Sequence, residues 1–113
     1  MKPGSQLFKG SLTTIVLKLL SEEGRMYGYE ITKRVRELSG GALELTEGAL
    51  YPALHKLEAE GLLEVTVEYN GNRPRKYYQI TRSGKKETNL KLEELQAFIG
   101  QMQALLQWRP GTL

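Results

Sequence analysis

At Leu62 the hydrophobic pattern of the chain changes its period, and at Thr81 it changes back. Before Leu62 the apolar residues recur at three- and four-residue steps. After it, Leu63, Val65 and Val67 alternate with Glu64, Thr66 and Glu68, the two-residue period of a half-buried strand. Asn70-Gly71-Asn72-Arg73-Pro74 is turn chemistry, and Arg75–Thr81 reads as a returning strand with Tyr78 and Ile80 on one side. A single β-hairpin between helical segments excludes a large sheet. The expected fold class is mainly α with a small β-hairpin.

Three helices precede the hairpin. The first follows Gly10-Ser11, with Ser11 as its N-cap, and carries Leu12, Ile15, Val16, Leu19 and Leu20 before Gly24. The second starts near Gly28, places Ile31, Val35 and Leu38 on one face, and ends at Gly40-Gly41. The third runs over Thr46–Glu60 with Leu50, Leu54 and Leu57 on one face and Gly61 as its stop. Pro52 predicts that its regular part begins nearer Ala49, after a 3₁₀-like opening turn.

Behind the hairpin, Thr81 or Ser83 caps a long helix reaching about Trp108. Leu92, Leu95, Ile99, Met102 and Leu106 form a heptad seam, widened by Phe98 and Leu105. About 25 residues of helix span about 38 Å, more than the remaining small domain covers. This seam is therefore expected to pair with a second copy of the chain. Gly100 falls off the seam and has no evident role there.

Charge is unevenly spread along the 113 residues. From Asn70 to Lys91 seven basic residues face the single acid Glu87, whereas from Glu37 to Glu68 Lys56 stands against seven glutamates. The net charge of +3 says less than this polarity. Three helices and a basic-tipped hairpin match the winged helix-turn-helix, whose third helix enters the major groove. Thr46, Tyr51, His55 and Lys56 lie off the leucine side of that helix, and Arg73, Arg75 and Lys76 at the hairpin are placed to neutralise phosphates.

Other chemistry is poorly served. The chain has no cysteine and one histidine, so no disulfide, metal or cofactor is expected. Glu22-Glu23 and Glu93-Glu94 are adjacent on helices and splay apart, which argues against an enzyme. No apolar run approaches the ~18 residues of a membrane span. The first 25 residues lack a signal-peptide pattern, so no membrane association and a cytoplasmic location are expected.

The runs "YGYEI" (Tyr27–Ile31), "GALYPALHKLEAEGLL" (Gly48–Leu63) and "RKYYQIT" (Arg75–Thr81) closely resemble the PadR family of bacterial transcriptional regulators. The resemblance covers about residues 7–108, and the length is similar to the small subfamily with one C-terminal helix. It implies a winged helix-turn-helix DNA-binding domain over residues 7–81 and a dimerisation helix over 82–108. It also implies a homodimeric repressor on near-palindromic double-stranded DNA, released by a small aromatic or drug-like effector. Carried over by motif, the DNA contacts are Tyr27 and Tyr29 at the second helix, Thr46, Gly48, Tyr51 and His55 on the third, and Arg73, Arg75 and Lys76 in the wing. Phe98, Met102 and Trp108 would meet an effector. Glu47, Glu58 and Glu60 depart from a phosphate-facing surface, which confines base readout to the amino-terminal half of the third helix. A winged helix that binds only protein is the alternative.

Overall fold

The computed structural model describes residues 5–111. In chain order these form α1 (Ser5–Glu23), β1 (Met26–Tyr27), α2 (Gly28–Leu38), α3 (Glu47–Ala59), β2 (Leu63–Asn70), β3 (Arg73–Ile80) and α4 (Arg82–Gln107). The three strands form one antiparallel sheet in the order β1-β3-β2. This is a winged helix, with β2 and β3 as the wing.

Helix α1 starts earlier than its sequence pattern indicates. Gly10 and Ser11 lie inside it, so Ser11 is not an N-cap. Val16, Leu17 and Leu20 are fully buried among residues from α2, α3 and the sheet, which makes α1 the central helix. Gly24 ends it at φ +81°, donating its N–H to the Leu20 carbonyl at 3.2 Å.

The core continues through Ile31 and Val35 of α2 and Leu50, Leu54 and Leu57 of α3. Leu38 is exposed and adds nothing to it. Thr46 caps α3, its hydroxyl accepting from the Ala49 N–H at 3.2 Å. The helix begins at Glu47, two residues before the expected start. The Thr46 carbonyl accepts from both Ala49 and Leu50, which tightens the first turn in 3₁₀ fashion. Pro52 is tolerated inside the helix; the carbonyl it cannot bond belongs to exposed Gly48, where water can replace the missing N–H. A Schellman motif closes α3, with Gly61 at φ +76° and the Leu62 N–H donating to the Leu57 carbonyl at 2.9 Å.

The hairpin is longer than expected. Strand β3 starts at Arg73, leaving Gly71-Asn72 as a two-residue turn with φ +68° at Gly71. Leu63 is buried and Val65 half-buried, but Val67 is 47% exposed because the wing extends past the core. A lone hairpin is corrected to three strands. Strand β1 has only two residues, too few to show a period, and pairs Met26 with Tyr78 and Tyr27 with Tyr77.

Thr81 is the junction of wing and last helix. Its hydroxyl donates to the Gly61 carbonyl at 2.8 Å and accepts from the Gly84 N–H at 3.0 Å. Gly84 packs so tightly that a Cβ would overlap the Leu62 carbonyl oxygen. Buried Thr88 donates to the Gly84 carbonyl at 2.7 Å. Helix α4 then runs beside α1 and continues outward, giving a molecule of 66 × 31 × 20 Å. Among the described residues no helix is long and apolar enough to cross a membrane.

Candidate nucleic-acid interface

Register sorts the wing side chains onto two faces. Residues directly opposite in an antiparallel pair point the same way. Leu63, Val65, Val67, Lys76, Tyr78 and Ile80 therefore share the core-side face, and Glu68, Arg73, Arg75 and Tyr77 share the outer face with Tyr27. Tyr78 is fully buried, and burial pushes its phenol pKa up, with Glu58 adding to the shift. The wing cations Arg73, Arg75 and Lys76 are all exposed, but Lys76 projects opposite to the two arginines.

The outer face is aromatic and basic together. Tyr27 is half-buried, stacks on exposed Tyr29 at 6.5 Å and meets Tyr77 edge to face at 5.5 Å. The Arg75 guanidinium lies 4.4 Å from the centre of the Tyr27 ring. Wing and start of α2 are thus one continuous surface. The backbone N–H of Tyr27 donates to Glu30 Oε1 at 3.1 Å, so Glu30 closes the amino-terminal end of α2 from within the helix.

Helix α3 joins this surface through Tyr51. Its hydroxyl lies against Gly28, where a Cβ would come within 2.7 Å of it. Tyr51 and His55 are exposed neighbours, their ring centres 6.3 Å apart. Thr46 and Gly48 are exposed at the start of the helix. The Thr46 hydroxyl oxygen is occupied by capping but keeps its own hydrogen for donation, and a Cβ at Gly48 would meet only that oxygen, at 4.0 Å. The buried leucines lie on the far side.

Two contributors went unnoticed in the sequence. Gly28 belongs to "YGYEI", but nothing in that run shows that Tyr51 needs its missing Cβ. Arg25 stands outside every motif, and its guanidinium lies over Tyr77 and pairs with Glu68, which raises its pKa further.

The seam residues of α4 lie elsewhere on the molecule. Leu92, Leu95 and Met102 are half-buried, whereas Ile99 and Leu106 are exposed, Leu106 at 84%. Phe98, Leu105 and Trp108 are also exposed large apolar residues. Between α1 and α4 runs a groove of about 670 Å³, whose apolar lining includes Leu7, Leu95 and Phe98. Met102 and Trp108 do not line it. A Cβ at Gly100 would touch nothing. Among the described residues no cluster of side chains suits a metal ion.

Comparison with known proteins agrees with this architecture. A family model described as "Transcriptional regulator PadR-like family" matches residues 16–90. An uncharacterised protein of Lysinibacillus sphaericus is 33% identical over 82 residues, covering 72% of this chain and 74% of the relative. A transcriptional regulator of Mycobacterium tuberculosis is 40% identical over 63 residues, covering 53% of this chain and 59% of its own. Among solved structures, a transcriptional regulator from Clostridium thermocellum superposes with a TM-score of 0.84 at 32% identity, covering 91% of this chain and 100% of that one. A PadR-like transcriptional regulator from Bacillus cereus gives 0.77 at 29% identity, covering 93% and 100%.

Proposed function

Because the chain belongs to the transcriptional regulator PadR-like family, and is thereby a DNA-binding regulator and not an enzyme, we propose that it is a homodimeric repressor acting on a near-palindromic operator. The observation that carries this reading is the continuous surface from exposed Arg75 across half-buried Tyr27 to exposed Tyr29, Tyr51 and His55. The amino-terminal half of α3, with its cap Thr46 and with Gly48 and Tyr51, reads base edges, joined by His55 one turn further along. Arg73 and Arg75, with Lys76 on the opposite face of the ribbon, hold phosphates on either side. Glu58 and Glu60 sit at the far end of α3 and stay out of the groove.

The dimer forms through Leu92, Leu95, Ile99, Met102 and Leu106 of α4. Its support is the exposed apolar strip along the outer half of that helix, which nothing in the chain covers among the described residues. Pairing sets the distance between the two α3 helices, which two-fold binding requires to be roughly 34–36 Å. A small aromatic effector seated against Phe98, Met102 and Trp108 would alter that pairing and release DNA. It acts only as far as it prefers the non-binding geometry, and tenfold release needs a preference of about 1.4 kcal/mol.

Selection of bound sequences from random DNA tests the proposal. Recovery of two related half-sites in inverted orientation, one helical turn apart, is the expected outcome. Recovery of no enriched sequence contradicts it.

A further inference from the structure

On the outer face of the sheet, two arginines and two tyrosines cross. Arg25, just before β1, lies 4.4 Å from the ring centre of Tyr77 on β3, and Arg75 on β3 lies 4.4 Å from the ring centre of Tyr27 on β1. Register produces the crossing: Tyr27 stands opposite Tyr77, so residues two positions away are diagonal neighbours within reach of long side chains. Each guanidinium carbon lies over a ring, a contact that uses none of the group's five N–H donors.

Glu68 makes this arrangement consequential. It stands directly opposite Arg75 in the β2–β3 ladder, where opposite charges ordinarily pair. The pair does not form. Arg25 Nη1 holds Glu68 Oε1 at 2.5 Å, and among the described residues Arg75 has no carboxylate partner. One carboxylate lies within reach of two cations, and the cation outside the wing has taken it.

We propose that Arg25 is a positioning residue for DNA binding: by occupying Glu68 it keeps Arg75 unpaired on the Tyr27 ring, with its N–H edge open to a backbone phosphate. The inference rests on reading Arg75 as a phosphate contact. Without Arg25, Glu68 turns to Arg75, and a phosphate must then displace an internal carboxylate. Arg25 thus governs affinity without itself touching DNA.

A double-mutant cycle tests this, using fluorescence anisotropy of the full chain on a duplex recovered by selection, at several salt concentrations. R75A should weaken binding and reduce the salt slope by about one per protomer. R25A should do the same although its charge lies outside the wing. R25A/R75A should bind no worse than R75A, within about twofold, and in an E68Q background R25A should cost less than about twofold. Thermal unfolding of each variant monitors the fold, and the E68Q background decides the matter even where R25A loosens the sheet. Losses that multiply in R25A/R75A, or that persist undiminished beside E68Q, overturn the proposal. R75A without effect overturns the phosphate reading and this inference together, whereas a weakened R75A beside an unaffected R25A overturns this inference alone.

Discussion

Gly84 and Gly100 stand in the same helix under opposite constraints. A Cβ at Gly84 collides with the Leu62 carbonyl oxygen and the Ile80 side chain, and backbone cannot step aside cheaply. Gly84→Ala should lower stability by about 1–3 kcal/mol through overpacking. At Gly100 the same change meets open space, and helix propensity should raise stability by up to about 1 kcal/mol. Urea denaturation of both variants checks the pair of signs. The residues proposed to face DNA separate in another way. If Arg73 holds a phosphate as proposed, Arg73→Ala should weaken binding to all sequences alike and lower the salt slope by about one per protomer, because a phosphate contact carries no base information. Replacing Tyr51 or His55 with alanine should instead change sequence preference, by about 1–3 kcal/mol where a base contact is lost. Repeating the selection from random DNA with each variant distinguishes the two behaviours.

At the scale of elements, α4 carries the clearest prediction. Its first half packs on α1 and, at Gly84, against Leu62 and Ile80, while Ile99, Leu105 and Leu106 face outward. Leu95→Lys with Ile99→Lys should yield monomers by light scattering and abolish tight operator binding, with the winged domain still folded by circular dichroism. Much of this layout was legible in the sequence, because periodic leucines, the Thr46 and Thr81 caps and the Gly24, Gly61 and Gly71 breaks each act over a few neighbouring residues. What stayed hidden depends on long-range contact. Strand β1 is two residues long and exists only because β3 offers an edge to Met26 and Tyr27. The early start of α1 was masked because Gly10 and Ser11 suggest a beginning, although two weak helix formers inside a packed helix are affordable. The motif residues of the interface could be read, but the crossed arginines could not, since Arg25 meets Tyr77 and Glu68 only after the sheet has closed.

For the whole molecule, the elongated 66 Å shape suits the two proposed roles: α3 and the wing present one surface, and the outer half of α4 leaves another, apolar one uncovered. An effector that loosens the α4 pairing would therefore act on DNA binding at a distance, and by reciprocity DNA would weaken the effector. The winged end is proposed to engage DNA phosphates as a symmetric pair. The most direct measurement is the affinity for a selected duplex across a salt series. Three wing cations per protomer, six in the dimer, predict a log–log slope of about −5, at roughly 0.9 per neutralised phosphate. A slope near zero would contradict the account and mark the winged domain as a surface for protein alone.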